Sequence, residues 1–177
     1  MLNNRPIASN TYSQGLYIPV NKDKVVKLNS QGGLFYRSSW EKKIMIWLDS
    51  NPSIMKWMAE GIEIPYFSKE VVNGELENIK RRYYPDFYYK IKKSDGSIEE
   101  VIAEVKPKKE VDNVVMFKEG KFIIPPKIST KKMKNLEYDF KMAQKNSSKW
   151  DSMIEWCKSK GMKFIIITEE HLTHLKS

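Results

Sequence analysis

Residues 81–107, RRYYPDFYYKIKKSDGSIEEVIAEVKP, have the pattern of two β-strands joined by a tight turn. Both halves are rich in aromatic and β-branched residues, which favour the pleated surface of a sheet. Between them, Asp95-Gly96 is expected to supply the positive backbone angles of a tight turn. The stretch therefore predicts a β-hairpin, with Asp86 directly after Pro85 near the start of its first strand.

The second strand of this hairpin alternates charged and apolar side chains. Side chains two positions apart in a strand point the same way, so Glu104 and Lys106 share one face. The other face is apolar and carries Val101, Ala103 and Val105. Burying a charge is costly unless the charge is paired or bound to a metal. A carboxylate and an ammonium group on a strand that otherwise resembles core are therefore a candidate site.

Pro85-Asp86 followed by Glu104-x-Lys106 resembles the signature of the PD-(D/E)xK nuclease superfamily, which has the restriction-endonuclease-like fold. Further segments extend the resemblance from about Tyr17 to the C-terminus, in the order YRSSWE (36–41), IPY (64–66), YPDF (84–87), EVKP (104–107), KW (149–150) and FIIITE (164–169). This ordered set is similar to the head completion nucleases of T-even-type tailed bacteriophages and to the TnsA-type subunits of some transposases. It implies an α/β (α+β) fold with a central mixed sheet flanked by helices.

The resemblance also implies a chemistry, the hydrolysis of DNA phosphodiester bonds with Mg²⁺ or with Mn²⁺, both of which suit oxygen ligands. Asp86, Glu104 and the backbone carbonyl of Val105 would bind the ion. Lys106 would orient or deprotonate the attacking water, or offset charge on the phosphate. Glu41 would bind a second ion or polarise the water. We expect no small-molecule organic cofactor.

Each of these residues also has a structural interpretation. Ser38 or Ser39 begins a predicted amphipathic helix that ends at Asn51-Pro52, and Glu41 fits its capping box. Asp86 could be a turn residue. Glu104 and Lys106 could be an exposed ion pair on an edge strand. The nuclease interpretation rests on the ordered set as a whole.

Charge points to a polyanionic partner. The 177 residues carry a net charge of +9, which favours nucleic acid through phosphate contacts and counterion release. Residues 121–150 hold eight lysines and two acidic residues, although a solvated helical face would also explain many lysines. The candidate DNA-binding residues are Arg81, Arg82, Lys131, Lys132, Lys134, Gln144 and Lys149.

The remaining chain predicts one nuclease domain, residues 34–177, preceded by an extended or partly disordered arm, residues 1–33. Residues 131–160 predict one or two helices ending at Gly161, and residues 163–168 a buried strand. The single cysteine suits a reducing compartment. Because neither a signal peptide nor a membrane span is visible, we expect a cytoplasmic protein without a membrane partner.

The resemblance places this activity in phage assembly. It implies a nuclease that cuts packaged DNA at head completion, in the cytoplasm of an infected cell or associated with the virion, with portal or capsid proteins as possible partners. Two alternatives stay open: a transposon-end or restriction-type nuclease, and a structural or DNA-binding protein whose site is vestigial.

Overall fold

The computed structural model describes residues 13–72, 75–122, 125 and 127–173. Along the chain the elements are β1 (Gly15–Tyr17), a 3-10 turn (Lys22–Lys24), β2 (Leu34–Tyr36), α1 (Ser39–Ser50), β3 (Ile54–Ala59), β4 (Ile64–Val72), β5 (Glu75–Tyr83), β6 (Phe87–Lys92), β7 (Ile98–Val105), α2 (Lys108–Lys118), α3 (Thr130–Lys160), β8 (Lys163–Ile167) and α4 (Glu169–Leu172).

The centre of the fold is a four-stranded sheet in the order β3-β6-β7-β8. The first three strands pair antiparallel, while β7 and β8 pair parallel. The predicted central mixed sheet is therefore confirmed. Because β7 lies between β6 and β8, Glu104 is on an interior strand, and the alternative of an exposed edge-strand ion pair is wrong.

The predicted hairpin is β6–β7, with Phe87 opposite Ala103. At its turn the Lys93 N–H donates to the Ser97 carbonyl at 2.8 Å. Gly96 has a φ of 84°, but Asp95 does not adopt a positive φ, contrary to the expectation. The Asp95 carboxylate instead accepts hydrogen bonds from the backbone N–H and the hydroxyl of Ser97, which fixes the turn locally.

Both faces of the sheet are covered. One face packs against α1 and α4 in a cluster that includes Ile44, Leu48, Trp57, Ala103 and Leu172. The opposite face packs against α3 and the β4–β5 hairpin, in a cluster that includes Ile64, Tyr83, Ile102, Met153 and Cys157. Successive residues of β7 therefore face two different cores, and Glu104, two positions after Ile102, faces α3.

Helices α1 and α3 follow their predicted boundaries closely. Ser38 caps α1 by accepting the Glu41 N–H, and Asn51 ends it. Residues 131–160 belong to a single helix, which Gly161 ends in the left-handed conformation with a φ of 67°. The strand predicted over residues 163–168 exists as β8. It lies at the edge of the sheet and its apolar side chains are only half-buried, so the expectation of a buried strand is wrong.

Residues 13–33 of the predicted arm lie against the domain. β1 pairs with β2, and buried Asp49 of α1 accepts hydrogen bonds from the Tyr17 hydroxyl and the Val20 and Asn21 N–H groups. Residues 1–12 lie outside the described residues, so the domain boundary at residue 34 stays a prediction. Among the residues described, no helix combines the length and apolar character needed to cross a bilayer.

Candidate active site

Asp86 lies at the end of the sheet where β6 begins and β7 ends. It follows β5 across the short connection 84–86. Its Oδ2 accepts a hydrogen bond from the Val105 N–H at 2.7 Å. The carboxylate therefore takes the place of a strand partner just beyond the last paired residues, Phe87 and Ala103, and this fixes Asp86 beside the Glu104–Lys106 segment.

Glu104 is held in an almost fully buried position, with 3% of its surface exposed. Its Oε1 lies 3.1 Å from the Lys106 Nζ. Its Oε2 is buried without a hydrogen-bond partner among the described residues, and so is the hydroxyl of Tyr83. The two groups are neighbours: burial, and then the Glu104 carboxylate, raise the pKa of Tyr83. With no well-formed hydrogen bond, this buried oxygen is suited to a cation or an ordered water.

The negative charge of Glu104 perturbs the titration of Asp86. Burial, and then the negative charge of Glu104, raise the pKa of Asp86 to about 7, with a smaller contribution from Glu41. The Val105 N–H and the Lys106 ammonium oppose this shift. Two carboxylates in one buried site cannot both ionise easily without a cation. Asp86 is thus a group whose proton would leave when a metal ion binds.

For Lys106, burial and the neighbouring charges act on the pKa in opposite directions. Its burial acts to lower the pKa, but the charges of Glu104 and Asp86 outweigh burial, and the pKa of Lys106 lies above its usual value. Its ammonium group is therefore protonated at neutral pH in the metal-free protein.

These side chains open onto a solvent-accessible depression of about 550 Å³. It is lined by Arg37, Glu60, Arg82, Tyr83, Tyr84, Asp86, Glu104, Lys106 and Lys149. Lys149 reaches it from α3, with its Nζ 5.0 Å from the centre of the Tyr83 ring. Burial lowers the pKa of Lys149, helped by the nearby positive charges of Lys145 and Lys106. The depression thus joins two acidic groups at its floor to several cations.

Glu41 stands apart from this set. Its Oε1 accepts the Ser38 hydroxyl at 3.0 Å, and its Oε2 accepts the Arg37 N–H at 2.8 Å. Both oxygens therefore serve the helix start, much as the capping-box alternative proposes, although the backbone N–H is that of Arg37 rather than Ser38. Glu41 is near enough for its charge to act on Asp86. It does not line the depression.

The predicted DNA-binding residues fall into two groups. Arg82 and Lys149 line the depression, and exposed Arg81 is adjacent in β5. The second group lies in the exposed first turns of α3, roughly 22–27 Å along the helix axis from Lys149, and consists of Lys131, Lys132 and Lys134. Gln144 is half-buried on α3 and does not line the depression.

The geometry suits a hard divalent cation only in part. No cluster of three or more His, Cys, Asp or Glu side chains able to hold a metal ion exists among the described residues. Mg²⁺, however, usually takes one or two carboxylates and keeps several waters. Asp86 and the unpartnered Oε2 of Glu104 match that smaller requirement.

Sequence reasoning missed Arg37 and Glu60, which line the depression, and Glu63, which lies beside Arg82. Arg37 pairs with Glu60, and Arg82 lies 3.7 Å from the Oε2 of Glu63, which also accepts the Tyr84 hydroxyl. Arg37 could have been noticed, because it lies within the YRSSWE segment. Nothing in the sequence marks Glu60 or Glu63, which approach the site only through the connection between β3 and β4.

Comparison with known proteins identifies relatives of this chain. Residues 51–169 match the family described as "TnsA-like endonuclease N terminal". This match includes Asp86, Glu104 and Lys106, whereas Glu41 precedes it. The chain is also 33% identical over 161 residues to the head completion nuclease of Enterobacteria phage T4, covering 91% of this chain and 94% of that protein. Together with the mixed sheet, these matches confirm the predicted relationship and the restriction-endonuclease-like fold. The chain belongs to the TnsA-like endonuclease family and is a homologue of a phage head completion nuclease.

Proposed function

We propose that this protein is a Mg²⁺-dependent DNA endonuclease that acts on packaged DNA during phage head completion. The observation that carries the proposal is the juxtaposition of Asp86, buried Glu104 and Lys106 in an open depression bordered by cations. Negative groups at the floor suit a divalent ion, and cations at the border suit the phosphates of a nucleic-acid backbone.

Asp86 and Glu104 would hold the ion, with the Val105 carbonyl as a further oxygen ligand. Bound there, Mg²⁺ would supply Lewis-acid stabilisation of the scissile phosphate and a more acidic water. Glu104 is almost fully buried, which strengthens its interaction with any cation that reaches it.

Lys106 is a phosphate-orienting group in this proposal. In the metal-free protein its pKa lies above the usual value, so it is a cation at neutral pH. As a cation it would donate a hydrogen bond to the attacking water or to the phosphate. A bound metal ion would offset the carboxylate charges that raise this pKa, and a neutral Lys106 would then be able to deprotonate the water. Lys149 would contribute a second positive charge from α3.

Glu41 would act mainly as a positioning residue. Its two hydrogen bonds fix the start of α1 beside the depression, and a role as a second metal ligand would require it to release Arg37 or Ser38. Mn²⁺ is expected to replace Mg²⁺, since both prefer oxygen ligands.

The direct test is cleavage of supercoiled and linear duplex DNA in Mg²⁺, Mn²⁺ or EDTA. Lys106→Met removes the ammonium group but keeps the apolar stem, and Asp86→Asn keeps the oxygen that accepts the Val105 N–H. We expect both variants to lose at least about 100-fold in cleavage rate, which is the range typical of removing one positioned charge or proton-transfer group.

The matched control is Lys93→Met. Lys93 is also ion-paired, at 2.8 Å from Glu99, but it lies at the opposite end of the β6–β7 hairpin. Its cleavage rate should equal that of the wild type. Binding of DNA by the wild type without cleavage in either metal would instead favour a DNA-binding protein with a vestigial site.

The phage setting implies further partners. We propose that portal or capsid proteins bring the nuclease to packaged DNA within the host cytoplasm. Co-sedimentation of the purified protein with DNA-filled heads before tail attachment would support this, and equal recovery with tailed particles would argue against it.

A further inference from the structure

Two ion pairs border the depression on the side of the β3–β4 connection. Arg37 pairs with Glu60, and Arg82 lies 3.7 Å from Glu63. Both glutamates belong to the short connection 60–63, and both arginines line the depression. One segment of four residues thus supplies the carboxylates that face the two arginines of the depression.

Glu60 occupies an unusual backbone conformation. Its φ is 48°, and among the described residues it is the one non-glycine residue with a positive φ. Its N–H donates to the carbonyl of Asp86 at 3.0 Å, so the strained residue is tied directly to the proposed metal ligand. Strain of this kind persists where the surrounding structure enforces it, and it concentrates at functional sites.

The backbone of Arg37 is fixed by a hydrogen bond, while its side chain is exposed to solvent. Its N–H donates to Glu41 at the start of α1, and 68% of its side chain is exposed. Guanidinium groups bind carboxylates and phosphates with the same planar set of donors. The Glu60 carboxylate therefore occupies the position on Arg37 that a phosphate oxygen of DNA would take.

We propose that Arg37 binds a backbone phosphate of the DNA substrate, and that Glu60 is its counterion in the free protein, which the phosphate replaces on binding. The proposal rests on the proposed function, since it concerns the same depression. It gives the β3–β4 connection a role in limiting non-specific DNA binding, because a phosphate that binds Arg37 must displace the Glu60 carboxylate.

Binding alone tests this exchange, so cleavage is not needed. Fluorescence anisotropy of a labelled DNA duplex is measured in EDTA over a range of salt concentrations, for the wild type, Arg37→Gln, Glu60→Gln and the double variant. Loss of one phosphate contact should lower the salt slope by about 0.9 and weaken binding roughly eightfold near 0.1 M salt for Arg37→Gln.

Glu60→Gln should have the opposite effect. Exposed ion pairs are weak, so freeing Arg37 should tighten DNA binding by about 1.5- to fivefold. This gain should disappear in the double variant, because the glutamate acts through Arg37. A gain of equal size in both backgrounds would show that only the net charge matters, and it would overturn the exchange.

Glu99→Gln is the matched control. Glu99 pairs with Lys93 at 2.8 Å, but it lies five residues before Glu104 in β7, roughly 17 Å away. The Glu99→Gln variant makes the same change in net charge as Glu60→Gln and should leave the affinity for DNA nearly unchanged. Arg37→Lys, which keeps the charge, should retain most of the salt slope and provides a second readout if Arg37→Gln is poorly folded.

The outcomes separate the two proposals. If the wild type binds DNA and Arg37→Gln binds equally well with the same salt slope, the inference is wrong while the proposed function stands. If the wild type does not bind the duplex in EDTA at any salt concentration, the inference is wrong, while the proposed function is decided by the cleavage assay in Mg²⁺ or Mn²⁺.

Discussion

The raised pKa of Asp86 predicts that the stability of the metal-free protein depends on pH. In the metal-free protein the pKa rises from 3.8 to about 7, chiefly through burial and the charge of Glu104. A group with a raised folded-state pKa favours the folded state below its unfolded-state pKa, and this contribution is lost as the pH rises through the folded-state value. Ionised Asp86 should therefore destabilise the metal-free protein increasingly between about pH 4 and pH 7.

Asp86→Asn removes this cost and keeps the oxygen that accepts the Val105 N–H. A shift of about three pKa units corresponds to an upper limit of about 4 kcal/mol at 1.36 kcal/mol per unit. Because Glu104 stays buried in the variant, only part of this upper limit is expected to be recovered. We therefore expect a gain of about 1–4 kcal/mol in the free energy of unfolding at pH 8. The gain should vanish near pH 4.

Urea unfolding in EDTA at several pH values measures this difference. Asp95→Asn is a control of opposite sign, because hydrogen bonds from Ser97 lower the pKa of Asp95 at the hairpin turn. The Asp95 carboxylate contributes stability above about pH 4 that is lost as the pH falls, so this variant should be less stable than the wild type at pH 8. A pH-independent difference for Asp86→Asn, or its destabilisation at pH 8, would refute the reasoning.

Two further predictions concern the metal and the N-terminal segment. Mg²⁺ at about 100 times its dissociation constant should stabilise the wild type by about 2.7 kcal/mol, and the Glu104→Gln variant should lose this stabilisation. Thermal unfolding with and without Mg²⁺ measures the difference. Equal stabilisation of the two proteins would contradict the metal site. Asp49→Ala should destabilise the protein by about 2–4 kcal/mol, because it removes the buried carboxylate that accepts hydrogen bonds from the Tyr17 hydroxyl and from the Val20 and Asn21 N–H groups. Tyr17→Phe, which removes one of these bonds, should cost about 1 kcal/mol by urea unfolding. An equal cost for both variants would show that the backbone bonds contribute little.

The two groups of basic residues are expected to differ in function. Arg82 and Lys149 border the depression, where a phosphate would approach the proposed metal ligands. The lysines in the first turns of α3 are too distant to contact the same phosphate. If they bind DNA, they contact the duplex roughly 22–27 Å from the site, which is about two-thirds to four-fifths of a helical turn, since ten base pairs span about 34 Å. They would then set overall affinity rather than the position of cleavage.

The sequence by itself determined the local elements of this protein. The alternation of β7, the Ser38 cap of α1 and the Gly161 end of α3 are properties of neighbouring residues, so they could be predicted from spacing and residue type. The Pro-Asp and Glu-x-Lys segments also led to the correct family, because they lie on adjacent strands of one hairpin and their separation is short.

Tertiary structure alone decided what surrounds those segments. The interior place of β7 depends on parallel pairing with β8, some sixty residues further along the chain. The proximity of Glu60 to Arg37 and of Lys149 to Tyr83 depends on packing between distant elements. Local patterns carry no information on such distances. Whether Glu104 is a surface charge or a buried one with an unpartnered oxygen is therefore fixed by the layers that close over both faces of the sheet.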